Sequence, residues 1–271
     1  MPLIKRGGWP YANPPNTQFT LNTQSSQARG LVAWWPTLGQ HGTSGLLRDY
    51  VANRYPMTQY NTPTWKGDGQ LGETMLLDDG STEYCERSGA VVSAAPMTVS
   101  LWARLDDAAV NHCLFSIGNT GTPGEYWWIV ARDAPDIDVL WEAQELGDSG
   151  RAYAAGTWSV NVWHHIVGVE IASNSRLCYL DGRSGANAGD VAPAANVTTI
   201  GAKNEDGARS LYTSGQIADV RIYNRALSAA EVWAMYDPAT RWELYAPVMQ
   251  RGVVAAAGIP WVWRQYRQRR V

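Results

Sequence analysis

No stretch of 18 consecutive apolar residues occurs in the chain, and the longest candidate, 253–263, is interrupted by Gly258 and Pro260. A membrane-crossing helix is therefore not expected. The first residues lack the apolar core of a secretory signal peptide. Cysteine is scarce: Cys85, Cys113 and Cys178 are odd in number and far apart, with no CxxC or Cys/His spacing. That argues against a disulfide framework or a zinc site and for three small buried thiols. Lysine is scarcer than its usual share, with only Lys5, Lys66 and Lys203 among 22 basic residues. The remaining basic residues are arginine, which suits planar, bidentate contacts at interfaces. Catalytic signatures are missing as well: there is no Gly-x-Ser-x-Gly, no His-Glu-x-x-His and no phosphate-cradling glycine loop.

What is present is a chain of 271 residues, 45% hydrophobic and 17% charged, with 14 Trp, 26 Gly and 14 Pro. This is enough apolar material for a sizeable core and too little charge for disorder. The net charge of −3 implies no nucleic-acid partner, but it is unevenly placed. Residues 1–28 hold Lys5 and Arg6 and no acid, while 238–271 hold six Arg and one Glu. The middle therefore carries 14 basic and 24 acidic residues. An acidic body with basic ends favours contact with copies of itself or with another acidic surface.

Residues 1–28 show neither a strand nor a helix period and read as an extended N-terminal arm. From Gly30, short apolar runs alternate with Gly, Asp, Asn and Ser clusters, the pattern of an all-β sandwich. Strands are expected at 31–35, 74–77, 98–105, 126–131, 137–141, 162–170, 176–180 and 216–223. In the third of these, Val99, Leu101, Ala103 and Leu105 face one way and Thr98, Ser100, Trp102 and Arg104 the other. Asp181-Gly182 marks a two-residue hairpin. Ser228-Ala229-Ala230-Glu231 is a capping box that opens one short helix, which Pro238 ends. Residues 238–271 read as a second, docking arm with an Arg-rich end.

Several segments carry a family resemblance. Gly30-Leu31-Val32-Ala33-Trp34-Trp35, Met97-Thr98-Val99-Ser100-Leu101-Trp102-Ala103 and Trp163-His164-His165-Ile166-Val167-Gly168-Val169 resemble strands of laminin G-like, concanavalin A-like jelly rolls. Leu177-Cys178-Tyr179-Leu180-Asp181-Gly182 and the run Gly215 to Ser228 are similar to that family's hairpin and closing strand. The resemblance implies an all-β, two-sheet antiparallel jelly-roll sandwich over 29–237, between arms 1–28 and 238–271. The residues around Arg29 and the segment 242–248 resemble versions found in tailed-phage virion proteins. This implies a non-enzymatic virion surface protein, held by its arms to other virion proteins and to copies of itself. The alternative is a carbohydrate- or receptor-binding module.

The expected assembly contacts are the aromatic and Arg residues of the arms: Trp9, Tyr11, Phe19, Trp242, Tyr245, Trp261, Trp263, Arg264, Tyr266 and Arg267. For surface glycans, Tyr126, Trp128 and Trp141 are the candidate stacking rings. Tyr126 and Trp128 share a face by parity, with Trp127 on the other. The resemblance further implies a structural calcium ion shared by Asp49 and Asp219. Glycosidase chemistry needs paired carboxylates, and Asp136, Asp138, Glu142 and Glu145 are read as solvated turn acids instead. His165 is read as a core histidine, since His164 and His165 point to opposite faces.

Overall fold

The computed structural model describes residues 18–38, 45–68, 70–187 and 189–248. In chain order the strands begin with β1 (Phe19–Leu21), β2 (Leu31–Trp35), β3 (Leu46–Leu47), β4 (Met57–Tyr60), β5 (Thr64–Asp68) and β6 (Gly72–Leu77). They continue with β7 (Tyr84–Ser88), β8 (Met97–Leu105), β9 (His112–Gly118), β10 (Tyr126–Ala131), β11 (Val139–Glu145) and β12 (Asp148–Tyr153). There follow β13 (His164–Ala172), β14 (Ser175–Leu180), β15 (Arg183–Asn187), β16 (Val197–Ile200), β17 (Lys203–Glu205) and β18 (Ala208–Ser210). The chain closes with β19 (Gly215–Tyr223), helix α1 (Ala229–Tyr236) and β20 (Tyr245–Pro247). Among the described residues no helix is long and apolar enough to cross a membrane.

Two antiparallel sheets make the sandwich. The first runs β15-β14-β13-β8-β19-β6-β5, with β2 also paired to β19; the second runs β12-β11-β10-β9-β16-β7-β4-β3. The inner faces meet through the alternation read in the sequence. Val99, Leu101, Ala103 and Leu105 of β8 join Phe115, Trp127, Ile129 and Trp141 of the second sheet in one core. Where this core is tightest only glycine fits. A Cβ on Gly168 of β13 would sit 2.5 Å from the Trp141 ring. The β13–β14 hairpin turns at Asp181 (φ 52°) and Gly182 (φ 78°), the two left-handed positions of a type I′ turn.

The outer face of the first sheet is covered by two further pieces. Helix α1 starts at Ser228, whose side chain accepts from the Glu231 amide while the Glu231 carboxylate accepts from Ser228 N. Its Val232 and Met235 pack on Val167, Val169, Tyr179 and Tyr223. Beside it, β1 and β20 pair antiparallel, with Phe19 opposite Pro247 and Leu21 opposite Tyr245. They lay Phe19, Trp242, Leu244 and Tyr245 over Trp34, Trp102 and Ala218. The Trp34 and Tyr245 rings meet edge-on at 4.7 Å.

The inner parts of the expected arms therefore belong to the folded body. Phe19, Trp242 and Tyr245 were expected to contact other subunits. Instead they are 9%, 3% and 0% exposed and close their own sandwich. The physical reason is the sheet beneath: outward-facing Trp34 and Trp102 need apolar cover beyond the Tyr236 ring that the end of α1 lays beside Trp102. Trp9, Tyr11, Trp261, Trp263, Arg264, Tyr266 and Arg267 lie outside the described residues.

Candidate functional site

The outer face of the second sheet is finished differently. Strand register places Arg151, Glu142, Trp128, Ser116, Thr199 and Glu86 side by side across β12, β11, β10, β9, β16 and β7. The hairpin β17–β18 crosses the middle of this row. Asn204 N donates to Ser116 Oγ at 3.2 Å, and Asn204 Nδ2 donates to Glu86 Oε2 at 2.8 Å. Arg209 also donates to the Glu86 carboxylate. The hairpin comes so close that a Cβ on Gly118 would lie 2.2 Å from Asn204 O.

The hairpin decides what Tyr126 and Trp128 do. Both rings lie on the outer face, and Trp127 lies in the core, as parity predicts. The Lys203 ammonium then sits 4.1 Å from the Tyr126 ring centroid and 5.0 Å from that of Trp128. Tyr126 is covered, and burial pushes its phenol pKa up. Trp141 does not join them. It lies opposite Ile129 in the β10–β11 register and is fully buried in the core, where its Nε1 donates to Glu170 at 2.8 Å. The expectation of a third sugar-stacking ring at Trp141 is corrected: residues directly opposite across a hairpin share a face, and Ile129 faces inward.

Beyond the hairpin, a pocket of about 190 Å³ opens between β10, β11 and β12. Val130 and Leu140 form an apolar part of its lining, with Trp128, Tyr153, Arg132, Glu142, Arg151 and Asn111 around them. The polar groups are held rigidly. Glu142, expected as a solvated turn acid, is instead 2% exposed within β11, where outward-facing Trp128 and Arg151 flank it and donate to it through Nε1 and Nε, each at 2.8 Å. Arg132 donates to both oxygens of Asp138 at 2.7 Å and lies 5.2 Å over the Tyr153 ring. Hydrogen bonds to these carboxylates hold both arginine pKa values above the ordinary one. Sequence reasoning missed Tyr153 and both arginines. The detectable signal was parity along β12, where Arg151 and Tyr153 alternate with the small core residues Gly150 and Ala152.

Neither carboxylate of the expected calcium pair fits the ion. Asp49 accepts four backbone N–H groups, from Trp34, Val51, Arg54 and Tyr55, at 2.9–3.2 Å. Asp219 lies at a bulge of β19 with φ 52°. It accepts from Trp34 Nε1 at 2.7 Å, Tyr245 OH at 3.0 Å and Arg221 Nη2 at 2.6 Å. A cation would have to displace this set of donors. No group of three or more His, Cys, Asp or Glu suited to a metal occurs among the described residues. His165 is buried as expected, but beside Trp102 on the outer face of the first sheet and not between the sheets, with Nε2 2.9 Å from Ser100 Oγ and Nδ1 without a partner.

Residues 79–233 match the family model of the concanavalin A-like lectin/glucanases superfamily. No curated protein matches the sequence. Among solved structures, Domain 4 of AbnA, a GH43 extracellular arabinanase from Geobacillus stearothermophilus, in complex with arabinotriose, is similar at TM-score 0.59 and 16% identity. That match covers 76% of this chain and 98% of the domain. The binding domain of Paraclostridial Mosquitocidal Protein 1 is similar at TM-score 0.56 and 15% identity, over 78% of this chain and 52% of that one. The botulinum neurotoxin serotype G binding domain follows at 0.55 and 15%, over 76% and 50%. This chain spans about half the length of those two toxin domains. At such identities the likeness is one of fold.

Proposed function

We propose that this chain, which belongs to the concanavalin A-like lectin/glucanases superfamily, is a glycan-recognition module without hydrolytic activity. The observation that carries the reading is the pocket beside Trp128. An apolar patch of Val130 and Leu140 suits the C–H face of a sugar ring, and Tyr153, 38% exposed, offers an aromatic wall. Around them stand one fixed acceptor, Glu142, and two fixed arginine forks, an arrangement matched to hydroxyls that both donate and accept. One lining carboxylate is too few for the acid and base, or acid and nucleophile, of a glycosidase. Calorimetric titration with a panel of neutral oligosaccharides is the test. Binding of at least one is expected, weakened at least tenfold in Tyr153→Ala, with no cleavage products on long incubation. Failure of every sugar at millimolar concentration, or product formation that depends on Glu142, would overturn the reading.

A second reading concerns the setting. The two ends of the described chain lie side by side, with Val248 N donating to Gln18 O at 3.0 Å. The segments beyond them, 1–17 and 249–271, contain seven basic residues and no acid, along with Trp9, Tyr11, Trp261, Trp263 and Tyr266. Two basic, aromatic sequences leaving one edge suit attachment to a larger assembly. From the likeness of the segments around Arg29 and 242–248 to tailed-phage proteins we infer that this assembly is a virion, with the sandwich displayed on its surface. A chain cut to 18–248 is then expected to stay folded and keep its glycan binding but to be lost from purified particles. Full incorporation of the cut chain would remove this second reading and leave the first intact.

A further inference from the structure

On the opposite side of the molecule, three side chains of one aromatic cluster each carry a buried polar atom without a partner. Trp102, on the outward face of β8, carries the Arg241 guanidinium 4.9 Å from its ring centroid. The His165 and Tyr236 rings lie 5.1 Å and 6.0 Å from it. Trp163, two residues before His165 and so on the same face, packs into this cluster. The Arg241 Nε, the Trp163 Nε1 and the His165 Nδ1 are all buried with no hydrogen-bond partner.

Arg241 is the informative member. It is 7% exposed, and it feels the charges of two carboxylates, Asp237, which accepts from the Ala239 amide, and Asp219, which is already committed to Arg221 at 2.6 Å. Burial holds its pKa below the ordinary arginine value. Buried polar groups in proteins are normally hydrogen-bonded, and here the Arg241 Nε is left as a donor without an acceptor. The neighbouring groups suit one. His165 Nε2 faces Ser100 Oγ at 2.9 Å. With the serine hydroxyl donating to Nε2, the imidazole proton sits on Nδ1 and adds a third donor to those of Arg241 and Trp163.

We propose that Arg241, Trp163 and His165 form a carboxylate-binding site and that its ligand is an acidic sugar. The guanidinium fork matches the planar geometry of a carboxylate. The half-buried rings of Trp163 and Tyr236 flank the cluster. Trp233, 51% exposed and 5.4 Å from Tyr236, extends the aromatic surface on which a sugar ring rests. The choice of a sugar rests on the glycan-recognition reading, but the site lies on the other face, so its failure can be told apart from the failure of that reading.

The test is calorimetric titration of the full chain with trigalacturonate, with its fully methyl-esterified form and with sodium acetate. Trigalacturonate binds, and the ester binds at least tenfold more weakly. Arg241→Met removes trigalacturonate binding without lowering the melting temperature, because it replaces a charge that burial penalises with an apolar side chain of similar length. Trp163→Phe keeps a ring, loses the N–H and weakens binding several-fold. Four results would overturn the proposal. These are equal affinity for acid and ester, unchanged affinity in either variant, acetate binding as tightly as trigalacturonate, or no binding of the acid. Binding of neutral sugars with no binding of acidic ones sinks this site alone; absence of both sinks the glycan reading as well.

Discussion

The outer faces of the two sheets are finished in opposite ways. That of the first sheet is aromatic and apolar, and it is closed by α1 and by segments from both ends of the sequence. That of the second sheet sets a row of polar side chains beside the small apolar cluster of Tyr126, Trp128, Val130 and Leu140, and among the described residues it is crossed by the short β17–β18 hairpin, which is itself pinned by Glu86. The first face is held by burial and by one deep polar knot at Asp219. The second is held by side chains locked to one another across the strands, which leaves room between them for a ligand. In this chain the layer built from the terminal segments and the pocket beside Trp128 are separated by the full thickness of the core.

The largest expected effect attacks the polar knot. Asp219→Ala removes the acceptor of Trp34 Nε1 and Tyr245 OH and leaves Arg221, 1% exposed, without its counter-ion. A loss of about 3–5 kcal/mol in urea denaturation is expected, the usual cost of stranding a buried charge. A loss below about 1 kcal/mol would show that the terminal layer is not fastened there.

Acid should act on the same face. His165 is fully buried, and burial, assisted by Arg221, lowers its pKa to about 3. The unfolded chain titrates near 6.5, so it binds more protons than the native state between those values. Its contribution is complete above about pH 6.5 and is lost as pH falls toward 3, with a slope approaching about 1.4 kcal/mol per pH unit. Stability measured from pH 7 to 4 should show this slope, and His165→Gln should flatten it. An unchanged slope in the variant would mean that other groups carry the acid response.

Between the faces, Gly168→Ala drives a methyl against the Trp141 ring and should cost about 1–3 kcal/mol, with glycan binding intact. The smallest effect on stability is expected on the second face. Arg151 has a side chain 47% exposed, so Arg151→Ala should change stability by less than about 1 kcal/mol. Its effect should fall instead on glycan affinity, because Glu142 loses one of the two donors that orient it. A large stability loss here would erase the distinction between the faces.

Much of this division was legible in the sequence. The alternation of Thr98 to Leu105 assigns every side chain of β8 to its observed face. The capping box at Ser228 and the turn at Asp181-Gly182 form where their chemistry requires. The terminal strands were not legible, because β1 and β20 have three residues each and too little length to show a period. Their pairing depends on a partner more than 200 residues away, which no local pattern reports. The pocket was legible only in part. Trp128 was placed by parity, but Arg132, Arg151 and Tyr153 reach it through strand order and register, which set neighbours that spacing along the chain does not.

The three-residue β1–β20 ladder also determines how the molecule would respond to tension. Both strands hand the chain on at the same end of an antiparallel pair, where Gln18 and Val248 meet. A pull between the two ends therefore loads the ladder one residue pair at a time, as in peeling, and does not shear all pairs together. Phe19–Pro247 parts first and Leu21–Tyr245 last, followed by the Asn22 contacts to Glu243 O and Leu244 O. A modest force would strip the aromatic cover from Trp34 while the antiparallel strands of both sheets, loaded later, keep their register.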